Sequence, residues 1–495
     1  MTNISSQSLD RVTESLAQDA VPSNGTNGHE ALAPNAATYD EPLYRTALDH
    51  VWIHGGNYVE LAEKRGLHVF ERGEGSTLYD ARGDAWIDGI AGLWVVNAGH
   101  GRQEIAQAMA DQASKLAYVS SASYTSVPAV QLAETLAQLT PGDLSRVFFA
   151  SGGSEAVESA IKIAKQVQVL RGFPKRYKII ARRGSYHGMT MGAMSLTTGN
   201  RAQMERFFGP MMDGVYHVPS PNHYRNDFGL EGEEGDIMCA KWVEQEILFQ
   251  GPETVAAVIG EPISSANGLH IPSPNYWQLL REICDRHGVL LIMDEVINGF
   301  GRTGRWFATE HFQTEDGSAI PDIMTMAKGL SSGYAPIAAT IVRPAVYEAF
   351  MEGENALSHL LTFGGQAVAA AAALKNIEIL HREALPQRSA EMGAYLLQSL
   401  QQLAATHPTV GDARGLGLYC ALELVKDKAT KEKMPRDSAF VKKVNQLIEE
   451  RRMLTRVWNI VHIAPPLVVT RAEIDRIVTI LDEALTLAEK EYGYA

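Results

Sequence analysis

The chain has little cysteine: Cys239, Cys284 and Cys420 are its only three, far apart and without metal-ligand spacing. That excludes a disulfide framework and a cysteine-built zinc site, and it points to a reducing, cytoplasmic setting. Basic charge is scarce too. With 44 Lys and Arg against 58 Asp and Glu, the formal charge is −14, and no basic stripe offsets it, so neither nucleic acid nor an anionic membrane is an expected partner. No run reaches the ~18 apolar residues of a membrane span. The N-terminus lacks the basic-then-apolar order of a secretory signal. Large apolar side chains are rare over residues 1–40, where PSNGTNGHEALAPNAATYD cannot offset its ordering entropy and reads as a mobile tail.

What remains is ordinary globular sequence, 45% hydrophobic and 21% charged over 495 residues, enough for two or three domains. From about residue 78, short apolar runs alternate with helical patterns, the signature of an α/β fold with a mainly parallel sheet. Four runs end in polar groups. Arg146 to Ala150 leads into SGGSEA, Val255 to Gly260 into Glu261, Val289 to Met293 into Asp294, and Asp322 to Ala327 into Lys328. Open parallel sheets bind ligands at the carboxyl ends of their strands, so four such endings predict one shared crevice.

Each ending suggests chemistry and also has a plainer explanation. Ser151, Gly152, Gly153 and Ser154 precede a helical pattern in which Val157, Ile161, Ala164 and Val167 share a face. Free N–H groups and the helix dipole there suit an anion, although an ordinary N-cap by Ser154 explains the same residues. Asp294, after five apolar residues, needs a cationic partner. A protonated pyridine nitrogen is one; Arg302 or Arg305 is another. Lys328 stands between a strand and a glycine-serine turn, where its amine could attack an aldehyde if the site favours the neutral form. A solvated lysine is the plainer reading. Gly299, Gly301 and Gly304 satisfy the dinucleotide-binding pattern, but RWFATEHFQTEDG after them lacks the clean period of the long helix this motif should open.

Taken together, AGLWVVNAGHG, SGGSEA, YHG, GEPI, DEVINGFGRTG, AKGLSSGY, TFGGQ and IAPPLVVTRAEID resemble the class III, or omega, aminotransferases of the fold type I pyridoxal-phosphate enzymes, from about residue 70 to 490. The closest look is to amine:pyruvate and omega-amino acid:pyruvate transaminases. The resemblance implies a large domain over residues 94–363 with a mainly parallel seven-stranded sheet. It also implies a smaller α+β domain from residues 41–93 and 364–495. Pyridoxal 5'-phosphate is the implied cofactor. Lys328 would be its Schiff-base lysine and acid/base, Asp294 the partner of its ring nitrogen, Tyr186 and His187 its neighbours, and Gly153 and Ser154 the cradle of its phosphate. Glu261 would join the polar network and Ile297 would lie against cofactor and substrate. Thr362 would reach the phosphate of a neighbouring subunit, which implies a homodimer, with a tetramer left open. Trp94 and Ala266 would line the substrate pocket, and Arg456, with Arg414 as runner-up, would bind the keto acid carboxylate.

The chain departs from the family where Ser151 and Gly152 replace an Asn-Ser pair, where Ser264 stands for glutamine, and where Trp458 and Asn459 replace a glycine-aspartate turn. The implied reaction moves an amino group from an amine to a keto acid in two half-reactions. An aminomutase or a decarboxylating transaminase would use nearly the same residues. A dinucleotide-dependent oxidoreductase and a non-catalytic binding protein are the readings outside that chemistry.

Overall fold

The computed structural model describes residues 40–57, 61, 67–265, 268–313, 319–353 and 355–494. The expected mobile tail, apart from Asp40, and Ala266 lie outside the described residues. Residues 70–80 with 84–495 form one compact unit. The described residues up to Val69, with Ala81–Gly83, belong to another, which holds the helix Asp40–His50.

The main unit is built on seven strands: β1 (Arg146–Ala150), β2 (Lys178–Arg182), β3 (Val215–Val218), β4 (Val255–Gly260), β5 (Leu290–Asp294), β6 (Ile323–Met326) and β7 (Ala338–Val342). Their order across the sheet is β1-β7-β6-β5-β4-β2-β3, and only β7 runs antiparallel to its neighbours. β4 to β7 are buried along their whole length. Central strands of a sheet covered on both faces show this continuous apolar character instead of alternation. β5 starts one residue later than the apolar run predicts and takes in Asp294, because Asp294 is in register with Thr325 of β6.

Two smaller sheets flank this one in sequence. Phe70–Glu74, Thr77–Asp80 and Ala85–Asp88 form an antiparallel meander that Met453–Leu454 extends in parallel. Val410–Gly415, Cys420–Asp427, Ile460–Ile463 and Arg456–Val457 form the C-terminal sheet. The last helix, Arg471–Tyr492, starts at a capping box between Thr470 and Glu473.

Among the described residues the glycine-rich GFGRTG segment opens no long helix; the short 3-10 turn Ala308–Phe312 follows it. Its glycines instead allow close packing, since a Cβ on Gly304 would lie 2.9 Å from that of Ala390 in the helix Leu385–Thr406. A dinucleotide site there has no structural basis. Among the described residues no helix is long and apolar enough to cross a membrane, and all three cysteines are buried and free.

Candidate active site

The segments after β1, β2, β4, β5 and β6, together with Leu93, Trp94 and Arg456, line one cavity of about 330 Å³. Of the residues singled out in the sequence, Trp94, Gly153, Ser154, Tyr186, His187, Glu261, Asp294, Ile297, Lys328 and Arg456 line it. Leu93, Gly188, Ser265 and Val296 complete the lining. Thr362 and Arg414 are elsewhere.

Asp294 is 3% exposed, so its carboxylate must be partnered within the protein. Neither arginine considered in the sequence does this. Arg302 donates to Leu418 O, Pro465 O and Asn97 Oδ1, and Arg305 donates to Glu310 O. The partners are His187, whose Nδ1 lies 2.7 Å from Oδ2, and the Thr325 hydroxyl and Val296 N–H, which donate to Oδ1 at 3.0 and 3.1 Å. The carboxylate is therefore fixed in orientation by donors on both of its oxygens.

On the far side of His187 sits a second buried carboxylate. Glu261 Oε2 is 4.0 Å from His187 Nε2 and 3.4 Å from the Arg182 guanidinium, and Oε1 accepts from the Tyr186 N–H at 3.1 Å. Arg182 also donates to the Glu261 carbonyl. It sits in a strand that reads KIIAR, and its guanidinium lies 5.1 Å from the Trp277 ring centroid. Nothing in the local pattern distinguishes it from the polar end of a strand, and it was missed in the sequence for that reason.

The helix Gly153–Leu170 begins with Gly152 as N-cap and no side-chain cap bond. Ser154 is thus not the cap; it sits inside the first turn, and its Oγ accepts from the Met189 N–H at 3.1 Å. Uncapped N–H groups of a first turn attract an anion. The turn opposite must be glycine: Gly188 has φ +128°, and a Cβ there would stand 2.3 Å from Ser154 Oγ.

Lys328 follows β6 with φ +47°, a left-handed conformation that costs an L-residue energy and marks a position held by its surroundings. The cavity opens onto it, so the residue keeps some surface, yet burial of the amine pushes its pKa from 10.5 down to about 8; Asp294 opposes this shift and Arg456 adds to it. Its Nζ lies 5.6 Å from the Trp94 ring centroid. An amine, a fixed carboxylate, an aromatic side chain and an anion-ready helix terminus thus face one space. That set suits a ligand carrying an aldehyde, a basic ring nitrogen and an anionic group.

Arg456 and Arg414 differ sharply. Arg456 lines the cavity, and burial and then Arg436 lower its pKa to about 10. Arg414 is consumed by Asp412 at 2.6 Å, Glu423 at 2.8 Å and the Gly268 carbonyl at 2.5 Å. Thr362 is exposed, and its carbonyl accepts from the Tyr118 hydroxyl at 3.1 Å.

Comparison with known proteins identifies the family. The family described as Aminotransferase class-III matches residues 58–485. The chain is 38% identical over 473 residues to a taurine–pyruvate aminotransferase of Bilophila wadsworthia, covering 92% of this chain and 100% of that protein. It is 36% identical over 431 residues to a putrescine–pyruvate aminotransferase of Pseudomonas aeruginosa, covering 87% and 92%. A thermostable (S)-enantioselective omega-transaminase from Thermomicrobium roseum superposes with a TM-score of 0.85 at 40% identity, over 90% of this chain and 98% of that one. The chain belongs to the class III aminotransferases, enzymes that move an amino group from an amine to a keto acid.

Proposed function

We propose that the cavity holds pyridoxal 5'-phosphate, anchored covalently by Lys328. On this reading the chain takes the amino group of a primary amine or omega-amino acid and gives it to a keto acid such as pyruvate. The observation that carries the reading is the pairing, in one cavity, of an amine with a pKa of about 8 and a buried carboxylate fixed by His187 and Thr325.

The residues fit the cofactor group by group. The uncapped turn at Gly153 and Ser154 suits the phosphate, Asp294 the protonated ring nitrogen, Tyr186 the ring face and Lys328 the aldehyde. Bound there, the cofactor supplies an electron-withdrawing ring that stabilises the carbanion left when the donor carbon loses its proton. Donors on both oxygens fix the Asp294 carboxylate in orientation, ready to pair with that ring. Lys328 Nζ would hold the aldehyde and would serve as the acid/base that moves a proton at the donor carbon. With a pKa of about 8, roughly one amine in ten is neutral at pH 7, far more than for an ordinary lysine. Leu93, Trp94, Val296 and Ile297 give the donor's carbon chain an apolar wall. Arg456 pairs with the carboxylate of the keto acid, for which its planar fork is suited.

The active unit on this reading is a homodimer. Thr362 is exposed within its own chain, and Tyr124, Val127, Val130, Leu360 and Phe363, between 53% and 71% exposed, are near it or in the helix and loop beside β1. Exposed apolar side chains of this size support a covering second copy that would bring Thr362 to the neighbouring cavity. The division into a large domain over residues 94–363 and a small one from 41–93 and 364–495 belongs to the same reading; the pairing of Met453–Leu454 with Ile87 and Asp88 supports it. So does a cytoplasmic setting, supported by the free cysteines.

The test is spectroscopic. Protein loaded with pyridoxal phosphate is mixed with a panel of amines, including taurine and putrescine, without keto acid. Visible cofactor absorbance should fall with the true donors, with one equivalent of carbonyl product, and return with alanine formation when pyruvate is added. Unchanged absorbance with every amine would contradict the reading.

A further inference from the structure

Arg456 does not reach the cavity alone. Its guanidinium carbon lies 3.6 Å from the ring centroid of Trp458, and that of Arg436 lies 3.4 Å from the same centroid. Both distances are those of a planar stack in contact, so each guanidinium sits nearly above the ring centre. Two groups so placed on one face would occupy the same space; they therefore take opposite faces, and the indole is a wafer between two cations. Among the described residues neither guanidinium has a carboxylate among the causes that shift it, and burial is the first cause lowering the pKa of each.

Local structure explains how the stack arises. Trp458 occupies the tip of the hairpin joining Arg456–Val457 to Ile460–Ile463, and its N–H donates to Ile460 O at 3.0 Å. Arg456 pairs with His462 in register across that hairpin. Trp458 meets His462 edge-on with centroids 6.3 Å apart, and His462 meets Trp94 edge-on at 5.2 Å. Arg436 comes from the turn before the helix Ala439–Glu450. It reaches the indole from outside the cavity lining, while Arg456 lies inside it. This tight tip is where the sequence carries Trp458 and Asn459.

We propose that Trp458 and Arg436 form a seat that positions Arg456 and so sets how strongly the site prefers substrates with an anionic end. The proposal rests on the reading of the cavity given above. The face of Trp458 holds the guanidinium of Arg456 in place by stacking and cation–π attraction, which is stronger where water is excluded. Arg436 clamps the opposite face of the same ring, fixing the indole, and adds a second positive charge behind it. Because no carboxylate among the described residues pairs with Arg456, a substrate carboxylate or sulfonate is the anion the seat presents it to. Trp458 and Arg436 are positioning residues; neither is among the groups lining the reacting space.

The experiment compares KM and kcat for pyruvate with those for propanal, a neutral acceptor, in Trp458→Leu, Arg436→Gln and Arg436→Lys. Trp458→Leu should raise KM for pyruvate roughly tenfold and Arg436→Gln roughly threefold, in each case with a much smaller change for propanal. Arg436→Lys, which keeps the charge and loses the planar stack, should fall between Arg436→Gln and the unsubstituted protein. Arg436 is exposed, so its variants keep the test open even if Trp458→Leu does not fold. Equal changes for the two acceptors, or no change in KM for pyruvate in the Arg436 variants, would overturn the seat. If the unsubstituted protein used neither acceptor, the reading of the cavity would fail first and the seat with it.

Discussion

His187 holds Asp294: Nδ1 and Oδ2 are 2.7 Å apart, and both residues are 3% exposed. The imidazole orients the carboxylate, and on the proposed reading the carboxylate carries the charge the reaction needs. Asp294→Asn keeps the size and removes the charge, and should slow the amine half-reaction by about a hundredfold or more. His187→Ala leaves the charge and its bonds from Thr325 and Val296 and should cost less in rate, with a stability loss of about 1–3 kcal/mol for the partner removed from a buried group. Single-turnover rates and thermal melts of the two variants check this. A larger rate loss in His187→Ala would reverse the assignment.

The pKa of Lys328 predicts a pH dependence. The neutral amine is the nucleophile, and burial lowers its pKa from 10.5 to about 8. Capture of pyridoxal phosphate by the cofactor-free protein should therefore speed up as pH rises from 6 through about 8 and level off above it. The sign for folding follows from the same shift. Below about 8 the buried amine is protonated at a cost, so its contribution to stability improves as pH rises through that value and ends near the unfolded pKa. A capture rate that rises only near pH 10 would contradict the lowered pKa.

Gly188 and Gly152 offer a paired test of the phosphate cradle. Gly188→Ala forces a φ of +128° on alanine and drives its Cβ to 2.3 Å from Ser154 Oγ, whereas a Cβ on Gly152 meets nothing within 4 Å. Gly188→Ala should cost about 1–3 kcal/mol and weaken cofactor binding; Gly152→Ala should do neither to a comparable degree. Equal behaviour in thermal melts and cofactor titrations would remove the turn at Gly188 from the site.

How much of this was legible in the sequence follows from what kind of interaction each residue makes. Strand ends and the positions after them were readable, since apolar runs of five or six residues leave little choice of where a buried strand stops. That is why Glu261, Asp294 and Lys328 could be placed on one crevice. Thr325 was not readable, because it reaches Asp294 only through the register of β6 on β5. The partner of Asp294 was sought among nearby arginines, but successive turns intervene and Arg302 is drawn to Leu418 and Pro465 carbonyls 116 and 163 residues away. Glycine spacing in GFGRTG carried packing information that reads like a binding motif. Trp458 could be seen as unusual, but its meaning depends on Arg436 arriving from another turn.

Arg414 and Arg456 separate binding from stability. Arg414→Ala breaks pairs to Asp412 and Glu423, the latter 3% exposed, and leaves Glu423 with Arg225 alone. It should lower stability by about 1–3 kcal/mol and change KM for pyruvate little. Arg456→Ala should do the opposite, raising KM for pyruvate more than for propanal. A KM effect confined to Arg414→Ala would exchange their roles.

Covalent trapping at Lys328 tests the central claim most directly. Protein incubated with pyridoxal phosphate is reduced with borohydride, digested and analysed by mass spectrometry. One pyridoxyl phosphate group per chain on the peptide containing Lys328, absent in Lys328→Ala, is the predicted result; a chain left unlabelled, or labelled at other lysines with Lys328 free, would contradict it.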